Sequence, residues 1–253
     1  MTFNIDECKL DCYNVITLGG TDMDTSKLTK ETLGKFFDHT LLKAFATEAD
    51  FVRLCKEAKE INAAMVAINS YPVAICKKEL AGTDIHVGAA IGFPLGQTTV
   101  ETKIYEIEDS IKNGADEIDY VLNVGKVKEG NWAYIKDEME RIVAVCRKAG
   151  IISKVIFENC YLTKEEIKQC ALIAKEVKPD FIKTSTGFGT GGATLEDVEI
   201  MINAVEGEVK VKAAGGVRDW ATCKKMIELG CERIGTSSAY AILEGFEAER
   251  KGC

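Results

Sequence analysis

Histidine is scarce: His39 and His86 are the only two in 253 residues, and neither has a partner at zinc-ligand spacing. Cys8 and Cys12 would supply at most half of a metal site, so no metal and no other cofactor is expected. There is no C-x-x-C. Of the ten cysteines, Cys55, Cys146, Cys170 and Cys223 sit in helix-like patterns among aliphatics, where a thiol acts as a small hydrophobe. The chain is also far too long for a cysteine-stapled mini-domain, which points to a reducing, cytoplasmic compartment. Positive charge is not in excess: 40 acidic against 32 basic residues give −8, which argues against nucleic acid or an anionic membrane as main partner. A local basic pocket for a phosphate stays open. No apolar run approaches the ~20 residues of a membrane span, and the acidic start "MTFNIDECKLDCYN" has no signal-peptide core. Pro/Ser-rich linkers and low-complexity tracts are lacking too, so one domain is expected over residues 26–253, behind an N-terminal extension of residues 1–25.

What is present is alternation. Eight strand-like runs, "KFFDHT", "AAMVAIN", "HVGAAIGF", "DEIDYVLN", "SKVIFEN", "DFIKTST", "VKVKAAGG" and "ERIGTS", alternate with helical patterns from Lys35 onward. Thr47 with Asp50, Thr163 with Glu166, Thr194 with Asp197, and Asp219 read as helix caps. Strand–helix alternation implies a parallel sheet, and eight units in about 215 residues fit a closed (β/α)8 barrel. An open doubly wound sheet is disfavoured because the first strand–helix turn lacks G-x-G-x-x-G. A helix from about Ser26 to Gly34 is expected to close the barrel bottom.

Period-two alternation then assigns the inward face of each strand. Phe181, Lys183 and Ser185 share one face; Lys210 and Lys212 alternate with valines that suit the helix side. Glu117 and Asp119 share a face, as do Lys154, Ile156 and Glu158, and Asp38 ends the first strand. Five strands therefore aim ionisable groups inward. For Lys154, Glu117, Glu158 and Lys210 an internal salt-bridge lattice is a sufficient reason, and Lys210 also lies near solvent at the bottom. Lys183 and Lys212 come from neighbouring strands at similar depth and are expected to repel. A lysine attacks a carbonyl only when neutral, and bringing its pKa from ~10.4 to near 7 takes about 4 kcal/mol. A second cation at ~4 Å supplies about that at an effective dielectric near 20, and partial desolvation adds to it. Lys183 is thus a candidate activated amine, with Asp119 able to move protons and Asp38 holding the lysines in register.

Glycine clusters follow the last three strands: "TSTGFGTGG", "GGVR" and "GTSS". Gly187, Gly215, Gly216 and Gly235 allow close approach of backbone N–H groups to an anion, and Ser237 and Ser238 would start the last helix, whose N-terminus attracts phosphate. Loops after strands seven and eight are where barrels commonly seat a phosphate.

The stretches "FDHTLLK", "IGFPLGQTTVETK", "GADEIDYVLNVG", "KVIFENCYLT", "FIKTSTGFGTGGAT", "VKAAGGVRD" and "RIGTSSA", in this order from about Leu33 to Phe246, resemble the deoxyribose-phosphate aldolase family of Schiff-base (class I) aldolases. The resemblance implies reversible cleavage of 2-deoxy-D-ribose 5-phosphate to D-glyceraldehyde 3-phosphate and acetaldehyde. It makes Lys183 the Schiff-base residue, Lys212 the lysine that perturbs it, and Asp119 a proton donor/acceptor. It also places Asp38 and Lys154 in the supporting network and the Gly/Ser loops on the 5′-phosphate, and it implies a homodimer. Alternatives are another Schiff-base phosphosugar aldolase or a non-catalytic phosphosugar-binding barrel. Two departures stand out. The chain ends "EAERKGC", without the tail tyrosine of longer members, and Ala67 occupies the neighbourhood where a cysteine is common in the family.

Overall fold

The computed structural model describes residues 23–252. Eight strands close into one parallel barrel in chain order: β1 (Phe37–Thr40), β2 (Met65–Asn69), β3 (His86–Ile91), β4 (Glu117–Val121), β5 (Ile152–Ile156), β6 (Phe181–Lys183), β7 (Lys210–Ala214) and β8 (Arg233–Thr236), with β8 returning to β1. The helices are α1 (Lys30–Gly34), α2 (Glu48–Glu60), α3 (Val73–Glu79), α4 (Val100–Lys112), α5 (Val124–Lys128), α6 (Trp132–Ala149), α7 (Lys164–Val177), α8 (Leu195–Val205), α9 (Trp220–Glu228) and α10 (Ala239–Lys251). The expected (β/α)8 architecture is therefore present, with the short α5 as an addition after β4. Among the described residues no helix is long and apolar enough to cross a membrane.

The helices begin where the caps were read. Thr47 and Thr163 form capping boxes with Asp50 and Glu166, while Thr194 and Asp219 accept from the N–H groups of Asp197 and Thr222. Each of these satisfies N–H groups that a helix start leaves open. The faces they orient carry buried residues such as Phe51, Leu54, Cys55 and Ala58 on α2, or Ile167, Cys170, Ala171 and Ala174 on α7. These pack on the outward strand residues Val66, Val87, Ile118, Val155, Ile182, Val211 and Ile234 to form the main core. At about 25 cal/mol per Å² of apolar surface, this shell is the chief source of stability. The barrel interior combines a polar cluster with inward apolar residues such as Met65 and Phe181, which contact Lys154.

Two local expectations are corrected. The helix from Ser26 to Gly34 is broken: a 3-10 turn covers Thr25–Lys27, and Thr29 caps α1 in a box with Thr32. Leu28 between them is extended and buried, and Arg250 donates to its carbonyl. Burying Leu28 and satisfying its carbonyl outweighs one continuous short helix, which is marginal on its own. Second, β6 stops at Lys183, because Thr184 turns its hydroxyl to the Ala214 backbone and Ser185 donates to Thr184 Oγ1. Ser185 therefore lies just beyond the strand that carries Phe181 and Lys183. Most of the expected extension (residues 1–22), with Cys8 and Cys12, lies outside the described residues. Thr25, at its end, donates to Glu228 at 2.8 Å.

Candidate active site

Parallel register sets the depth of each inward side chain. Asp119 pairs with Ala90 and Lys154, Lys183 with Ile156 and Lys212, and Asp38 with Met65 and Gly235. Asp119, Lys154, Lys183, Lys212 and Asp38 thus converge on the barrel axis from β4, β5, β6, β7 and β1. Asp119 is the hub. Its Oδ1 accepts from Lys154 Nζ at 2.8 Å; its Oδ2 accepts from Lys183 Nζ at 2.8 Å and Lys212 Nζ at 2.7 Å. Lys212 also pairs with Asp38, and Lys154 with Glu117 and, at 3.8 Å, with Asp38.

Lys183 and Lys212, expected to repel, share Asp119 Oδ2, so a carboxylate oxygen stands between the two ammonium groups. The cause of the perturbation changes with it. Burial is the largest influence on Lys183, pushing its pKa down to about 8 from the ordinary 10.5. Asp119 opposes that shift, and Lys212 and Lys154 reinforce it. Burial alone would raise Asp119, but Lys154, Lys183 and Lys212 outweigh it and hold the carboxyl well below its usual range. Lys154 is raised: Asp119, Glu117 and Asp38 overcome the effect of burial. Asp38 is the second residue of β1 rather than its end, and it touches Lys212, Lys154 and Arg233 but not Lys183.

Solvent access separates the amines further. Lys183 and Asp119 keep 4% and 3% exposure, whereas Lys154 and Lys212 have none. Ala67, Ala90 and Ala214 also show 4–6% exposure, so these small inward side chains leave a narrow well with Lys183 at its floor. Ala67 pairs with Gly88 and Thr40, at the place the sequence suggested for it. A side chain at Gly235 would crowd Lys212 Cε at 3.2 Å and Ala214 Cβ at 2.9 Å. Gly235, within β8, thereby makes room for Lys212.

Around the mouth, Gly187, Gly215 and Gly216 adopt φ of +86°, +84° and +81°, a region that favours glycine. The loops after β6 and β7 interlock: Ala193 N donates to Gly215 O at 2.9 Å, and a side chain at Gly192 would run into the Gly215 carbonyl. Ser238 is the N-cap of α10 and makes no side-chain cap bond; its N–H donates to Thr236 Oγ1 at 2.9 Å. Among the described residues, no hydrogen bond takes up the backbone N–H of Gly187, Gly216 or Ser237. Donors at the mouth and a helix N-terminus together suit an anion.

The lattice expected for the lower layer is partly present. Lys154 and Glu117 form it, but Lys210 is exposed at the rim beside Glu232 at 3.1 Å. Among the described residues Glu158 pairs with no lysine: at φ +56° it leaves the strand path and accepts from Thr186 N at 3.1 Å and from the Thr186 hydroxyl. Sequence reading missed Arg233, which bonds Asp38 at 2.6 Å and Glu117 at 3.1 Å, and His86, 2.7 Å from Glu117. Period two applied to "ERIGTS" and "HVGAAIGF" would have placed both inward. It also missed half-buried Cys160 at the mouth, 3.9 Å from Glu158 Oε1 and close to Gly189. Among the described residues no cluster of three His, Cys, Asp or Glu is arranged to hold a metal ion.

Residues 32–241 match a family model described as DeoC/LacD family aldolase. A deoxyribose-phosphate aldolase of Lactobacillus acidophilus is 52% identical over 225 residues, spanning 89% of this chain and 95% of that protein. Its counterpart in Thermococcus gammatolerans is 48% identical over 216 residues, 84% of this chain and 96% of that one. A solved structure of a tetrameric deoxyribose phosphate aldolase from Aeropyrum pernix superposes with a TM-score of 0.81 at 27% identity, covering 87% of this chain and 93% of that chain.

Proposed function

The chain belongs to the DeoC/LacD family of aldolases, and on that premise we propose that it is a deoxyribose-phosphate aldolase, a class I lyase. It cleaves 2-deoxy-D-ribose 5-phosphate reversibly to D-glyceraldehyde 3-phosphate and acetaldehyde. Lys183 carries the proposal: it is the one amine of the cluster that both reaches the well and has its pKa lowered, to about 8. Near neutral pH a useful fraction is therefore the free base, the only form that attacks a carbonyl.

Neutral Lys183 Nζ adds to the C1 aldehyde of the open-chain sugar. Asp119, with an oxygen 2.8 Å from Lys183 and 2.7 Å from Lys212, relays protons between the two amines, directly or through a water. The carbinolamine hydroxyl leaves as water and a protonated imine remains. The C3 hydroxyl then loses its proton, the C2–C3 bond breaks, and its electron pair moves onto the iminium, giving an enamine on Lys183 and free glyceraldehyde 3-phosphate. Protonation of the enamine at C2 and hydrolysis of the imine release acetaldehyde and restore Lys183. The C2 proton comes through a water held by Lys212 and Asp119. Asp38 and Lys154 keep this pair in place.

The phosphate is held by the N–H groups of Gly187, Gly216 and Ser237, the hydroxyl of Ser238, and the N-terminus of α10. Gly215 and Gly235 give the loops and Lys212 their room. Phe188, not a cation, follows Gly187, so backbone dipoles do most of the neutralising. The seven described cysteines are free thiols, which supports a cytoplasmic setting, and the family resemblance supports a homodimer.

A coupled assay for glyceraldehyde 3-phosphate formed from deoxyribose 5-phosphate tests the reaction. Borohydride with acetaldehyde is expected to trap an adduct on Lys183. An adduct elsewhere, or activity lost to a chelator, refutes the mechanism.

A further inference from the structure

Phe188 leaves half of its ring in solvent (54%) although it adjoins the proposed phosphate donor Gly187. Its ring contact is with Phe93, edge to face, centroids 5.3 Å apart and planes at 87°. Such pairs contribute about 0.5–1.5 kcal/mol beyond the area they bury. Phe93 belongs to the β3–α4 loop and Phe188 to the β6–α8 loop, so the contact joins two loops whose strands are not neighbours in the barrel.

The two loops differ in how firmly they are held. The β3–α4 loop is anchored at both sides of Phe93. Gly92 N donates to Glu106 Oε2 at 2.9 Å, and Gly96 N to Gly92 O at 2.8 Å. Gly96 O accepts from Lys103 Nζ at 2.8 Å. Lys103 is fully buried and gives its remaining hydrogens to Val121 O at 2.7 Å and Glu138 Oε1 at 2.6 Å, while Glu138 Oε2 accepts from Asn123 N at 2.9 Å. A side chain on Gly96 would strike the Leu122 carbonyl, so this loop also lies directly on the end of β4. A buried ion pair of this kind adds little net stability over an apolar pair; its hydrogen bonds fix a loop. The β6–α8 loop is tied at its ends, by Phe188 N to Thr186 Oγ1 at 3.0 Å and by Ala193 N to Gly215 O. Gly187, Phe188, Thr190 and Gly191 between or beside those ties are exposed.

We propose that Phe93 is a positioning residue for the phosphate seat: carried on the loop that Lys103 and Glu138 anchor, it holds Phe188 and so sets the direction of the Gly187 N–H. The proposal rests on the assignment of the site as a deoxyribose-phosphate aldolase. Among the described residues the contact of these rings is with each other and not with the lysines of the cluster, so the effect is expected only for substrates that carry the phosphate.

The test compares cleavage of 2-deoxyribose 5-phosphate with cleavage of unphosphorylated 2-deoxyribose by the wild type, Phe93→Ala, Phe188→Ala, the double variant and Phe93→Tyr. Each single alanine is expected to lower kcat/KM for the phosphate ester about tenfold, chiefly through KM, and to leave kcat/KM for deoxyribose within about twofold. The double variant should be no worse than the worse single, and Phe93→Tyr should keep wild-type discrimination. Equal losses on both substrates, unchanged discrimination, or additive effects of the two alanines overturn the proposal. Because Phe188 is exposed, its variant keeps the test decisive even if Phe93→Ala fails to fold. A wild type that cleaves the ester while the variants show one of those three results defeats only the positioning role. A wild type that cleaves neither sugar removes the assignment and the positioning role together.

Discussion

Replacing Lys212 with leucine separates charge from proton transfer. Lys183 and Lys212 donate to the same Asp119 oxygen at 2.8 Å and 2.7 Å, and two ammonium groups on one carboxylate oxygen stand on the order of 4.5 Å apart. At an effective dielectric near 20 they repel by about 3.7 kcal/mol, or about 2.7 pKa units. Leucine removes that repulsion and leaves one fewer cation to share Asp119, and both changes favour the charged form of Lys183. Its pKa should therefore climb from about 8 to above 10, the remaining effect of burial being offset by Asp119. At pH 7.5 the neutral fraction then falls from roughly a quarter to a few in a thousand or less, a loss of about a hundredfold or more in amine reactivity. The assay is the rate of borohydride-trapped imine with acetaldehyde, followed from about pH 6 to about pH 11. It reads the nucleophile without requiring carbon–carbon cleavage. The acid limb of the profile should move up by about two units or more, and the rate should recover in alkali. An acid limb that stays near 8 while the rate drops at every pH would refute electrostatic tuning and leave Lys212 as a proton carrier alone.

Burying an amine that resists its proton has a cost in stability. Because the folded pKa of Lys183 (about 8) lies below its ordinary 10.5, the penalty is full below pH 8, about 3 kcal/mol, and fades as pH rises to the unfolded value. Lys183→Met should therefore be more stable than the wild type in urea titrations at neutral pH by up to that amount, the gap closing in alkali; a gap that does not change with pH counts against it. Gly192→Ala forces a methyl group against the Gly215 carbonyl and parts the two loops proposed to seat the phosphate. It should raise KM for the phosphate ester several-fold with little change in kcat, and an unchanged KM would show that the loops do not seat the phosphate.

The barrel was legible because each of its devices is local. Thr47, Thr163, Thr194 and Asp219 mark helix starts through hydrogen bonds no more than three residues long. Period two in "DEIDYVLN" and "VKVKAAGG" puts Asp119 and Lys212 inward whatever the neighbours do. Outcomes that depend on distant partners were not legible. The break at Leu28 depends on Arg250, 222 residues away, and the end of β6 depends on the Ala214 backbone, 30 residues on. The path of Glu158 out of its strand depends on Thr186, 28 residues on. Each is a choice between two acceptable local conformations, decided by a partner that chain order does not reveal.

The same distinction explains why two lysines at one depth acquire different chemistry. Four permanent or potential cations, Lys154, Lys183, Lys212 and Arg233, meet three carboxylates, Asp38, Glu117 and Asp119, in the interior. A buried excess of one positive charge is costly, so the proton most easily given up belongs to the cation with the fewest carboxylates. Among the described residues Lys154 touches three, Arg233 and Lys212 two each, and Lys183 only Asp119. Lys183 is also the cation that the small walls of Ala67, Ala90 and Ala214 leave open to the mouth. Repulsion between neighbouring lysines, which the sequence suggests, acts equally on both members of the pair and cannot choose between them. The choice comes from where Asp38 and Glu117 sit: by reserving themselves for Lys212, Lys154 and Arg233, they leave Lys183 as the amine best placed for the proposed nucleophilic role.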